Sequence, residues 1–290
     1  MGIEAELVLD ARADIGEGSI WHDDLLYWVD ISAGKVFMYD PAAGTNREIM
    51  VGQMVGTVVP REQGGLAVAV KEGFALLDPE SGKVTHLHNP EAGNTLNRMN
   101  DGKCDPAGRF WAGTMNIAED QATGSLYCMD TDHAVHRRLE NLTVANGIVW
   151  SRDARTMYYI DSATSRVDAF DFDLDSGEIS NQRTAISVPL ELGWPDGMAI
   201  DEDDNVWVAM WQGSAVTHWD PRTGKQLGAI EVPASQITSC AFGGPNLDEL
   251  YITSARYKLN EDQLRSEPHA GGLFKVAPGV RGVPAFTFKG

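Results

Sequence analysis

A recurring turn signal restricts what this chain can fold into more than any other feature. "YDPAAGT" at Asp40, "LDPESGK" at Asp78, "FDLDSGE" at Asp173 and "WDPRTGK" at Asp220 each place a Gly four residues after an Asp. "MDTDHAV" at Asp130 and "KVAPGVRG" around Pro278 are degenerate counterparts. Asp opens such a turn with its side chain, Pro presets φ, and Gly takes the left-handed conformation that sends the chain back as a hairpin. The segments around the turns are short and β-branched or aromatic, as in "LLYWVDI" with "KVFMYD" or "NVWVAMW" with "AVTHWD". That is how strands read. No stretch sustains a helical period; "EDQLRSEP" near 261–268 and "NIAEDQATG" read as loop or weak helix.

Six hairpins, each preceded by one further apolar strand, divide 290 residues into units of about 48. This is close to the kelch-sized period of a four-stranded propeller blade. The chain is therefore expected to be all-β, a six-bladed β-propeller with four-stranded blades, forming one domain over residues 1–290. The N-terminal "AELVLD" would supply an outer strand to the last blade and close the ring by pairing the two chain ends. A pair of β-sandwiches or a parallel β-helix is the alternative, and neither accounts as well for the number of turns.

The strands that open the blades repeat in a second way. Their heads read "GEGSIWH" (Glu17, Gly18), "MVGTVVP" (Val55, Gly56), "NDGKCDP" (Asn100, Asp101, Gly102), "ANGIVWS" (Asn146, Gly147), "PDGMAID" (Asp196, Gly197) and "ITSCAFG" (Ser239). From Asp101 to Asn146, Asp196 and Ser239 the steps are 45, 50 and 43 residues. Innermost strands surround the channel of a propeller, so Glu17, Asn146 and Asp196 should converge, with Asn100 and Asp101 beside them. Carboxylates and amide oxygens without Lys or Arg at the equivalent positions repel unless a cation sits among them. Oxygen ligands favour Ca²⁺, Mg²⁺ or Mn²⁺, and Zn²⁺ where water completes its shell. The competing reading is that acid-Gly and Asn-Gly pairs are ordinary turn residues that repeat because the blades do.

Composition removes other functions. A net charge of -19, from 42 acids against 23 bases, disfavours nucleic acid and anionic membrane surfaces as partners and leaves cations and small neutral molecules. Cys104, Cys128 and Cys240 are far apart and lack a CxxC pair, which suits buried free thiols in a reducing cytoplasm. The N-terminus carries acids where a signal peptide would carry bases, so a cytoplasmic protein is expected. His86 and His88 alternate as a strand face would but have no third ligand at a plausible spacing, and Ser19 and Ser239 lack a paired His. Most tryptophans, including Trp28, Trp111 and Trp207, are assigned to packing between blades, whereas Trp194 and Trp211 lie near Asp196 and could line a ligand pocket.

"IGEGSIW", "NRMNDGKCDPAGRFWAGTM", "ANGIVWS", "WPDGMAIDEDDNVWVA" and "SCAFGGPNLDELYITSA" together resemble, in order and over nearly the whole chain, blocks of the regucalcin (senescence marker protein) and gluconolactonase family. The resemblance implies a six-bladed propeller and a metal-dependent sugar lactonase using one divalent ion. By it, Glu17, Asn146 and Asp196 match metal ligands, and Arg98 and Asn100 match substrate contacts. The family's glutamate after "AGTM" falls, on gap-free counting, at Ala118; Glu119 stands one residue further on, where an insertion or a shifted loop would let it take that place as a substrate contact. A lactone needs its oxyanion stabilised and a water deprotonated, and Asp196 is the candidate base. Arg98 and Asn100 would orient the sugar lactone. Hydrolysis of another ester such as an organophosphate, and a non-enzymatic calcium-binding propeller, are the alternatives.

Overall fold

The computed structural model describes residues 3–290; Met1 and Gly2, within the expected 1–290 span, lie outside the described residues. Six sheets form a ring, five of four strands and one of five. Innermost strands are Gly16–His22, Val55–Pro60, Asn97–Cys104, Ala145–Trp150, Trp194–Ile200 and Ile237–Gly243, heading blades one to six. Blade one, Gly16–His22, Leu25–Asp30, Lys35–Asp40 and Thr45–Met50, is the pattern that the others follow. The turns at Asp40, Asp78, Asp130, Asp173 and Asp220 join the third strand of a blade to the fourth. In each of the four regular turns a carboxylate oxygen accepts a backbone N–H three residues on or fewer, as when Asp40 Oδ1 accepts Ala42 N at 2.9 Å.

The chain ends behave differently from one another. Glu6–Leu9 pairs antiparallel with Leu273–Val276 and is the outer strand of blade six, as the N-terminal segment was expected to be. Ile3–Glu4 adds a short parallel strand to the edge of blade five. The stretch around Pro278 is not a hairpin end. Because the N-terminal strand already occupies the outer place in blade six, the chain after Val276 leaves the sheet and crosses the molecule instead. The only α-helix among the described residues is Glu261–Ser266, started by an Asn260 capping box with Gln263. No helix among them is long and apolar enough to cross a membrane.

Blades pack through apolar faces. Trp28, Trp111, Phe74, Phe110 and Tyr251 are fully buried, and the three cysteines are free and buried. Two tryptophans do more than pack. Asp105 and Asp201 directly follow the inner strands of blades three and five, and each accepts an indole N–H from the tryptophan six residues on, Trp111 at 2.9 Å and Trp207 at 3.0 Å. The same carboxylates hold their own hairpin turns, Asp105 through the N–H groups of Ala107 and Arg109 and Asp201 through those of Asp203 and Asn205. In blade one His22 stands six residues before Trp28, and Trp28 Nε1 is buried without an acceptor.

Candidate active site

Every innermost strand shifts register near its head: between Glu17 and Ile20, Val55 and Thr57, Met99 and Gly102, Ala145 and Ile148, Pro195 and Met198, and Ile237 and Ser239. The acid-Gly and Asn-Gly pairs are therefore not hairpin turns. They sit in or beside β-bulges within strands, which re-aim a side chain out of the pleat. Two of the glycines serve close approach between blades. A Cβ on Gly56 would lie 2.4 Å from the Asn100 carbonyl oxygen, and one on Gly147 would lie 2.7 Å from that of Asp196, each on the next blade. Glycine lets neighbouring inner strands close the ring at the depth of the polar residues.

Glu17, Arg98, Asn100, Glu119, Asn146 and Asp196 all line one cavity of about 380 Å³ at the channel end where the inner strands begin. All but Glu119 are buried. Asn100 joins two blades by donating from Nδ2 to the Ala145 carbonyl at 2.7 Å and to Asn146 Oδ1 at 2.9 Å. Asn146 in turn donates to Ser162 Oγ at 2.7 Å, and Ser162 donates to the Pro195 carbonyl at 2.6 Å, beside Asp196. Arg98 Nη1 donates to Asn100 Oδ1 at 2.5 Å. These bonds tie blades three, four and five around the cavity.

Asp101 lies close enough to Glu17 and Asp196 to raise both carboxyls, yet stands off the cavity wall. It is buried but does not line this cavity; Oδ1 accepts the Gly102 N–H at 2.7 Å and Oδ2 has no partner. Within the bulge, Arg98 and Asn100 share the cavity side and their neighbour does not. Glu119 does reach the cavity. Its backbone is left-handed, with φ 61°, in a turn where the Ala118 N–H bonds to Asn116 Oδ1. Trp194 and Trp211, cross-strand partners in blade five, stand at the mouth with Tyr257. Ser162 and Tyr257 escaped the sequence reading, since both belong to connections outside the repeated strand heads. His86 and His88 lie on the outer strand of blade two, and Ser19 and Ser239 bond to each other at 3.1 Å.

The electrostatics are those of acids without enough positive charge. Burial, then the Asp196 and Asp101 carboxylates, push Glu17 well above the usual carboxylate range. Burial likewise raises Asp196, with Asp101 adding to it and Arg98 opposing it. Burial lowers Arg98, against the pull of Glu119 and Glu17. Asp196 Oδ1 is buried with no hydrogen-bond partner. Two adjoining buried acids, one with an orphaned oxygen, and the Asn146 amide oxygen beside them fit a hard divalent cation. Among the described residues no three His, Cys, Asp or Glu converge as a ligand cluster, so such an ion would rely on the amide and on solvent besides the two carboxylates.

The model of the SMP-30/Gluconolactonase/LRE-like region matches residues 15–256. The chain belongs to this family. Regucalcin of Danio rerio is 40% identical over 294 residues, covering 99% of both chains. YvrE of Bacillus subtilis, whose name provisionally assigns it sugar lactone lactonase activity, is 36% identical over 290 residues, again covering 99% of both. Among solved structures, a regucalcin from Agrobacterium tumefaciens described as calcium-binding superposes with TM-score 0.94 at 25% identity, covering 99% of this chain and 98% of that one. The SMP-30/gluconolactonase match spans blades one to five and the first two strands of blade six, and so includes every residue of the cavity except Tyr257.

Proposed function

We propose that this member of the SMP-30/gluconolactonase family is a divalent-metal-dependent hydrolase that opens a sugar lactone to its aldonic acid. The observation that carries the reading is the buried Glu17 and Asp196 pair, with one unpartnered oxygen, facing the same cavity as Asn146, Arg98 and Asn100. Relatives named regucalcin and sugar lactone lactonase support it.

Glu17, Asn146 and Asp196 would hold the ion. When bound, a divalent cation supplies Lewis-acid stabilisation of the negative charge that develops on a carbonyl oxygen during acyl transfer. The chain's own groups do the rest. Asp196, whose Oδ1 has no hydrogen-bond partner among the described residues, accepts a proton from the water that attacks the carbonyl carbon and returns it to the ring oxygen as the acyl carbon–ring oxygen bond breaks. Arg98, held against Asn100, presents its remaining N–H groups to sugar hydroxyls or to the lactone carbonyl. Glu119, partly exposed and within electrostatic reach of Arg98, is the candidate acceptor for a sugar hydroxyl. Trp194 and Trp211 offer apolar walls to the ring at the mouth.

The test is a pH-stat assay of gluconic, galactonic, arabinonic and xylonic lactones and of a phosphotriester, with wild type and Asp196→Ala. Lactone turnover reduced roughly 10²–10⁴-fold in the variant, with its fold intact, is the expected result. Faster turnover of the phosphotriester than of any lactone would replace the substrate class, and unchanged lactone turnover by Asp196→Ala would remove the mechanism. The calcium-binding description of the Agrobacterium neighbour favours a second reading, a binding propeller without catalysis. That reading requires cation binding with no turnover of any lactone.

A further inference from the structure

The channel has a second chamber at its other mouth, of about 450 Å³ and thus larger than the site cavity. The same inner strands build both. Glu17, Asn100, Asn146 and Asp196 face the site, and further along the same strands Trp21, Lys103, Trp150 and Ile200 face the chamber. Segment 281–289 crosses this mouth. At one end the Gly282 N–H bonds to the Leu247 carbonyl at 2.8 Å and the Arg281 carbonyl accepts from Glu202 N at 2.8 Å. At the other end Phe288 is fully buried, exchanging backbone bonds with Pro60 and Glu62 at 2.9 Å, and Lys289 N donates to the Gly108 carbonyl at 3.0 Å. Between the anchors, Val283, Pro284, Ala285 and Phe286 line the chamber.

We propose that this strapped chamber binds a small amphipathic monoanion, with a hydrocarbon or aromatic body among Trp21, Trp150, Phe242 and Phe286 and its carboxylate at Lys103. The volume lies in the range of pockets that enclose small ligands, and such pockets combine apolar walls with a few placed polar groups. Lys103 is that group. It is partly buried, its ammonium has three donors, and the structure gives it one acceptor, the Met198 carbonyl; its charge acts on the buried Asp101 carboxylate, but no ion pair among the described residues involves it. Several partly buried cations are matched to acids, Arg109 to Asp105, Arg138 to Glu178 and Lys275 to Glu249, whereas Lys103, like Arg98 in the site cavity, is not. Buried charge is ordinarily paired, so Lys103 has room for an incoming anion. Arg152 at the rim, which donates to the Glu202 carbonyl at 2.7 Å, is exposed to solvent that screens its charge, so the partly buried Lys103 is the cation that selects the charge.

Decanoate is the probe, titrated into the full chain by calorimetry beside decanol, which keeps the body without the charge, and gluconate, which keeps the charge without the body. The expected result is one decanoate per chain, decanol bound at least tenfold more weakly, and no displacement by gluconate. Lys103→Met should weaken decanoate at least tenfold while leaving decanol unchanged, and Asp196→Ala should leave decanoate binding intact because the site lies at the other mouth. Should Lys103→Met not fold, Phe286→Ala, on the exposed strap, must weaken both decanoate and decanol. Absence of decanoate binding up to its solubility, equal affinity for decanol, displacement by gluconate, or indifference of decanoate to these chamber substitutions would each overturn the assignment.

Discussion

Glu17 and Asp196 are unusual less for being acids than for being buried acids side by side, each raised in pKa first by burial. The linkage has a definite sign. A carboxyl whose folded pKa exceeds its unfolded value binds more protons folded than unfolded, so stability is greatest at low pH and declines as pH rises from the ordinary carboxylate range through the raised folded pKa. Thermal melts of chelator-treated protein should therefore show a falling midpoint across that window, Glu17→Gln should flatten the slope, and added Ca²⁺ or Zn²⁺ should abolish it. A midpoint that rises through the window, or is insensitive to Glu17→Gln, contradicts the description of the pair. These residues were legible in the sequence because each stands at a blade head, and the repeat makes position informative. Asp101 was not separable from Asn100, since a one-residue bulge decides which of two neighbours faces the cavity. Glu119 was ambiguous for a related reason: a left-handed turn, not a strand, delivers it to the cavity.

At the scale of single elements, strands and turns could be read from alternation and Asp-to-Gly spacing, but the work of the aspartates that follow the inner strands could not. The six-residue spacing from Asp105 to Trp111 and from Asp201 to Trp207 was present in the sequence, yet tryptophan in a strand is accounted for by packing alone. In the structure the indole N–H is satisfied by the same carboxylate that holds the turn. Blade three adds Arg109, buried against Asp105 at 2.6 Å and donating to the carbonyls of Leu174 at 2.7 Å and Asp175 at 3.2 Å in blade four. Removing one member of a buried pair leaves the other charge uncompensated, so Arg109→Ala should lower unfolding free energy by about 3–5 kcal/mol in denaturant titrations. A loss within about 0.5 kcal/mol, the usual scale for a surface position, would contradict a clamp between blades.

Across the whole molecule, the ring brings Glu17, Arg98, Asn100, Glu119, Asn146 and Asp196 into one cavity, with the strand Glu6–Leu9 and the segment 281–289 folded back onto the ring. The number of blades followed from counting hairpins, and the closing strand from the N-terminal "AELVLD". The strap did not, because "KVAPGVRG" carries the same Pro and Gly that elsewhere make a turn, and only the prior occupation of the outer strand position by Glu6–Leu9 diverts it. Deleting residues 1–10 should leave blade six with three strands and an open edge, seen as a lower melting midpoint and a broader transition; an unchanged melt would deny the closing strand its part. The central claim is that the ring gathers these oxygens to use a divalent ion in lactone opening. It is tested most directly by following glucono-lactone hydrolysis in a pH-stat with chelator-stripped protein while Ca²⁺ or Zn²⁺ is added back stepwise. The account predicts that turnover falls to the uncatalysed rate on stripping and returns to its plateau at one ion per chain, whereas full turnover by the stripped protein would contradict it.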